Sequence, residues 1–171
     1  MTDGGNRSIL VLGIDPGIAT TGYGVVREER DGSLVAVAYG VIETPKEEAF
    51  PARLQALRGE LQALIARWKP DECGIEAIFF ATNARTIIPV AQARGVALLT
   101  LADANLPLAE YTPLQVKQAV SGYGQADKRQ MQEMVRMLLN LAKIPRPDDA
   151  ADALAIAITH LHSRRMNQAG K

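Results

Sequence analysis

The chain has 171 residues, 47% of them apolar and 22% charged, which suits one domain with a full hydrophobic core. No apolar stretch approaches the roughly 20 residues of a membrane span. The single cysteine, Cys73, excludes an internal disulfide and a cysteine-built zinc centre. Net charge is zero, yet residues 1–111 carry 10 Lys/Arg against 14 Asp/Glu, and residues 112–171 carry 9 against 5. A polyanion could be held on the basic C-terminal part, and a solvated charged face fits the same numbers equally well.

Residues 1–8 are polar, without a signal-peptide pattern, so a flexible tail and a cytoplasmic location are expected. The apolar run 9–14 reads as a central strand ending at Asp15, before the turn Pro16-Gly17. A second strand follows around Tyr23-Gly24-Val25-Val26. Asp31-Gly32 signals a hairpin into a third strand over 34–42. The period then changes: Leu54, Leu57, Leu61, Leu64, Ile65 and Trp68 recur at helical spacing over 50–68, and Lys69-Pro70 stops that helix. A short fourth strand spans 72–77 and contains Cys73, expected as a buried thiol.

A long, nearly uncharged helix is expected over 83–102, with Asn83 as N-cap and Pro89 in its early turns. A fifth strand covers 106–111, and Thr112-Pro113 opens another helix. Asp127 caps a helix to about Leu141. Asp148 or Asp149 caps a last helix ending near Arg164, with 166–171 expected as a flexible tail. The whole chain, 1–171, therefore reads as a single α/β domain. It has a mixed five-stranded sheet, three antiparallel strands then parallel ones, with helices on both faces.

Four acids stand out. Asp15 and Glu76 end apolar strands, and Asp149 and Asp152 share one face of a helix start, with Cβ atoms about 5–6 Å apart. Buried acids are normally paired or metal-bound, and four converging carboxylates suit a hard divalent cation such as Mg²⁺. The plainer reading makes Asp148 and Asp149 helix caps and Asp152 a solvated first-turn acid. It weakens because Asp15 and Glu76 also fall at strand ends. His160 and His162 lie more than two turns beyond Asp152 and read as surface or packing residues.

Several motifs, in order, resemble the RuvC family of Holliday-junction resolvases. They are Gly13-Ile14-Asp15-Pro16-Gly17 with Thr21-Gly22-Tyr23-Gly24, Ile75-Glu76-Ala77-Ile78-Phe79-Phe80 with Asn83-Ala84, Gln92-Ala93-Arg94-Gly95, Val116-Lys117-Gln118, and Asp149-Ala150-Ala151-Asp152-Ala153-Leu154. The resemblance covers about residues 9–162 and implies a ribonuclease H-like fold. The activity it implies is a metal-dependent endonuclease that cuts four-way DNA junctions by symmetric paired nicks. Asp15, Glu76, Asp149 and Asp152 would be the metal-binding catalytic acids, for two Mg²⁺ per subunit with Mn²⁺ as a substitute. Asp15 is expected to bridge, with Glu76 and Asp152 on one metal each and Asp149 completing a site or positioning water. Two such metals about 3.5–4 Å apart can activate water and stabilise a leaving 3′-oxygen.

The resemblance also implies that Phe79 stacks on bases at the crossover, whereas Phe80 packs. Lys117 and Lys128 would contact phosphate, with Arg85 and Arg129 as further contacts. It implies a homodimer, with part of the 83–102 helix at its interface, and cooperation with the RuvA–RuvB branch-migration complex. The competing readings are a nucleotide-binding module of the actin and sugar-kinase type, an inactive DNA-binding scaffold, and another ribonuclease H-like nuclease. The first lacks a second glycine-rich phosphate loop here, and the second should have lost one of the four acids.

Overall fold

The computed structural model describes residues 7–78 and 84–170. The expected base-stacking Phe79, its neighbour Phe80 and the expected cap Asn83 lie outside the described residues. Strands β1 (Ile9–Asp15), β2 (Thr20–Glu28) and β3 (Leu34–Glu43) form an antiparallel meander. Helix α1 (Phe50–Trp68) leads to β4 (Glu72–Glu76), and α2 (Ala84–Asp103) leads to β5 (Leu108–Tyr111). Helices α3 (Pro113–Ser121), α4 (Lys128–Leu138) and α5 (Asp148–Ala169) complete the chain. The sheet order is β3-β2-β1-β4-β5, with β4 parallel to β1 and to β5, the expected mixed five-stranded sheet.

Side-chain alternation along β1 creates two cores. Val11 packs on one face with Leu154, Ile158 and Leu161 of α5 and with Val116 and Val135 of α3 and α4. Leu12 and Ile14 pack on the other with Leu57 and Leu61 of α1, Cys73 and Ile75 of β4, and Leu101 of α2. Helices thus cover both faces. Burial pushes the Cys73 thiol far above its ordinary range, as expected of a structural cysteine.

Helix ends explain where the expected boundaries move. Thr112 and Gln115 close a capping box at α3, and Asp127 and Gln130 close one at α4. Helix α4 stops at Leu138 rather than Leu141, because Asn140 turns left-handed (φ 52°) beyond it. The N-cap of α5 is Pro147, not Asp148 or Asp149. The Pro147 carbonyl accepts from the Ala150 and Ala151 amides, which leaves both acidic side chains in the first turn free for other partners. Helix α5 also runs past Arg164 to Ala169, so 166–169 are helical, not the expected tail. No breaker precedes Gly170, and Arg164 and Arg165 are anchored on Glu72 and Glu28. At the other end, Arg7 pairs with Asp71.

Candidate active site

Strand register sets the first two acids. Ile14 pairs with Ile75 in the parallel β1–β4 ladder, so Asp15 and Glu76 emerge side by side at the strands' C-terminal ends. By alternation both lie on the α5 face, as Gly13 and Gly74 do. Glu76 is also held from behind: Arg94 of α2 donates from Nε to the Glu76 carbonyl (3.2 Å) and pairs with Glu110 (2.9 Å).

The second pair depends on how closely α5 can approach. Gly13, Gly22 and Gly24 leave the sheet bare beneath it. A Cβ on Gly13 would fall on the Ala153 carbonyl oxygen, one on Gly22 on the Asp149 carbonyl oxygen, and one on Gly24 within 2.8 Å of the Leu154 nitrogen. Gly22 pairs with Asp15, and Gly24 with Gly13, across β1 and β2. The bare patch therefore leads the N-terminal turns of α5 onto the end of β1. Alanines 150, 151, 153, 155 and 157 keep the contact close and buried.

The result is a cluster of acids. One carboxylate oxygen from each of Asp15, Asp149 and Asp152 lies within 4.8 Å of the other two. Glu76 is outside that trio but hydrogen-bonds Asp15 directly. Burial raises the Asp15 carboxyl far above its usual range, helped by the Glu76 hydrogen bond and by the charges of Glu76, Asp152 and Asp149. Burial also pushes Asp152 up to about 6, with Glu76 and Asp149 adding repulsion and Lys128 opposing it. Thr20 donates from Oγ1 to Asp149 Oδ2 at 2.5 Å. Such a set is chemically unbalanced: oxygen acceptors converge, and among the described residues the Thr20 hydroxyl and the Lys128 charge offset them only in part. A hard cation supplies what the donors lack.

A cleft of about 320 Å³ opens beside the acids, walled by Val116 and bordered by Glu76, Lys117, Lys128, Gln132 and Asp152. The two lysines singled out in the sequence thus reach the same cleft as two of the acids. Arg129 is exposed beside Lys128, and Arg85 is exposed in the first turn of α2; neither borders the cleft. Asp148 accepts from Lys128, Arg146 and Gln132, and the Lys128 contact first of all holds its carboxyl below the ordinary range. His160 is buried between Tyr111 (2.9 Å) and Glu72 (2.6 Å), and His162 meets the Ala119 carbonyl, so both are packing residues as expected.

Sequence reading saw Asp148 only as a possible helix cap, and it assigned no role of their own to Thr20, Arg94 or the three glycines. The glycines carried a signal, since glycine inside a strand often marks close backbone approach. Thr20 and Arg94 did not, because their partners are distant in sequence.

Known proteins resemble this chain along most of its length. Residues 11–160 match the family described as crossover junction endodeoxyribonuclease RuvC. The chain is 58% identical over 157 residues to that enzyme from Syntrophomonas wolfei, covering 92% of this chain and 91% of the relative. The RuvC structure from Thermus thermophilus superposes with a TM-score of 0.87 at 36% identity, covering 93% and 97% of the two chains. The same organism's RuvC in complex with a Holliday junction substrate gives 0.84 at 34%, covering 92% and 96%. The chain belongs to the RuvC family of crossover junction endodeoxyribonucleases, and it is a structure-specific DNA junction endonuclease.

Proposed function

We propose that this chain resolves four-way DNA junctions by symmetric paired nicks, using two Mg²⁺ per subunit held by Asp15, Glu76, Asp149 and Asp152, with Mn²⁺ as a substitute. The convergence of three carboxylates within 4.8 Å, with Glu76 hydrogen-bonded to one of them, carries this reading. When bound, divalent cations supply Lewis-acid activation of water and stabilise the leaving 3′-oxygen. Asp15, central and half-buried, would be the residue the cations hold in common. Glu76 and Asp152 flank it, and Asp149, oriented by Thr20, completes the set. Lys117 and Lys128 hold phosphate at the cleft, where three ammonium donors each can reach it. Arg85 and Arg129 extend the contact outward, and Phe79 stacks on bases at the crossover.

A junction of near two-fold symmetry calls for a two-fold dimer. Helix α2 supports one. Its outer face exposes Ile88 and Leu99, at 60% and 57%, with Gln92 and Gly95 between them. That stripe is suited to a second copy of itself. Among the described residues no helix is long and apolar enough to cross a membrane. A cytoplasmic enzyme working with the RuvA–RuvB complex is the setting we infer.

The test is cleavage of junction, RNA–DNA hybrid and flap substrates side by side with Mg²⁺. The proposal expects paired nicks on the junction alone, lost in Asp15→Asn while junction binding persists. Wild-type cutting by a folded Asp15→Asn protein would reject the mechanism. Preferred cutting of hybrids would reject the substrate.

A further inference from the structure

The three groups around Asp148 are arranged unequally. Gln132 Nε2 (3.1 Å) and Arg146 NH1 (2.6 Å) both donate to Oδ1, whereas Lys128 Nζ alone takes Oδ2, at 2.5 Å. Gln132 is buried, at 7% exposure, one helical turn beyond Lys128 on the same face of α4. Its amide is therefore a fixed point, and it sets which way the Asp148 carboxylate faces. Asp148 itself sits in the first turn of α5, next to Asp149. One carboxylate thus ties the lysine-bearing end of α4 to the acid-bearing end of α5.

We propose that Asp148 is a positioning residue for Lys128. It holds the Lys128 ammonium at the mouth of the cleft shared with Glu76 and Asp152, ready for the phosphate being cut.

The physical need is plain. The Lys128 side chain is 62% exposed on a flexible four-carbon stem, and without a partner it would sample many rotamers. Binding would then have to order it for each turnover. Held by Oδ2, it is already placed, and an ammonium has three donors, so it can keep Asp148 and still donate to a phosphate oxygen. Asp148 remains satisfied by Gln132 and Arg146 if Lys128 shifts toward the DNA. The arrangement costs little to adjust and preorganises the charge before substrate arrives.

This inference rests on the reading of Lys128 as a phosphate contact, and the experiment separates the two. Single-turnover cleavage of a junction at saturating enzyme is measured for wild type, Asp148→Asn, Lys128→Ala and the double variant, with junction affinity and thermal melting recorded for each. Asp148→Asn should slow cleavage by about two- to fivefold, the size of an exposed pair's coupling, with junction affinity and melting nearly unchanged. In the Lys128→Ala background the same change should have no further effect. Asp148→Glu, which keeps the carboxylate, should recover part of the rate. Gln132→Leu, which frees the carboxylate to turn, should reproduce part of the loss. An Asp148→Asn defect that persists undiminished without Lys128, or that is explained by weaker binding or melting, overturns the inference. So does an unchanged rate. Full activity in Lys128→Ala overturns the Lys128 reading and this inference with it, whereas slow Lys128→Ala beside normal Asp148→Asn overturns the inference alone.

Discussion

Loading the acid pocket with a divalent cation must expel a proton. Two carboxylates 4.8 Å apart repel by about 3.5 kcal/mol at an effective dielectric near 20. That is worth about 2.5 pK units. Burial acts on Asp15 more strongly still, and Glu76 adds a hydrogen bond that requires a proton between them. The metal-free protein at pH 7.5 therefore carries about one extra proton at Asp15, which cation binding must displace. Asp152, pushed up to about 6, is almost fully ionised at pH 7.5 and about half-protonated at pH 6. Titration calorimetry with Mn²⁺, repeated in buffers of different ionisation enthalpy, counts released protons from the slope. The expected values are about one per chain at pH 7.5 and about 1.5 at pH 6. Asp15→Asn should release none at pH 7.5. A wild-type slope near zero at pH 7.5, with Mn²⁺ bound, would refute the shared-proton argument. A slope unchanged in Asp15→Asn would place the proton elsewhere.

Two glycine substitutions should move in opposite directions. Gly22→Ala puts a methyl group on the Asp149 carbonyl, so urea denaturation should show a loss of about 1–3 kcal/mol and junction cleavage should fall more than about tenfold. Gly59→Ala, mid-helix in α1 with nothing within 4 Å, should gain about 0.8–1 kcal/mol and leave cleavage unchanged. In chelator, Asp152→Asn should exceed wild type in stability only at higher pH. The folded carboxyl titrates near 6 against an ordinary 3.8, so the native state holds the extra proton between those values and loses stability as pH rises through them. After discounting for the exposure of Asp152, the difference should grow from near zero at pH 4 to on the order of 1 kcal/mol at pH 7; a difference largest at pH 4 would reverse the assignment. Leu99→Glu places a charge on the exposed stripe of α2 and should shift sedimentation from dimer to monomer while preserving the melting of the single chain; an unchanged sedimentation coefficient would remove α2 from the interface.

The strands and α1 were legible because period and punctuation agree locally, as in the leucines of 54–64 followed by Lys69-Pro70. Asp15 and Glu76 were legible because charge at the end of an apolar run conflicts with burial, and register then placed them together. Helix α5 was harder. Its start looked like an acid cap, yet the Pro147 carbonyl serves the first amides, and Asp148 turns to Lys128, Arg146 and Gln132. No local pattern encodes that choice. Its end was read too early because buried and exposed helical turns share the same helix-forming residues. Thr20 and Arg94 act through single bonds to Asp149 and Glu76, from 129 and 18 residues away, which spacing alone does not mark.

Helix α5 joins two duties that most folds separate. From Ala150 to Leu161 nearly every side chain but Asp152 is buried, and its opening turns carry Asp149 and Asp152. Each residue added to a helix rotates all later side chains by about 100°. A one-residue insertion or deletion between Asp152 and Leu161 would turn either the acids or Leu154, Ile158 and Leu161 away from their places. Length variation within this family should therefore fall in the connections and at the chain ends, and this helix should behave as an indel-free ruler against which the rest of the enzyme is free to drift.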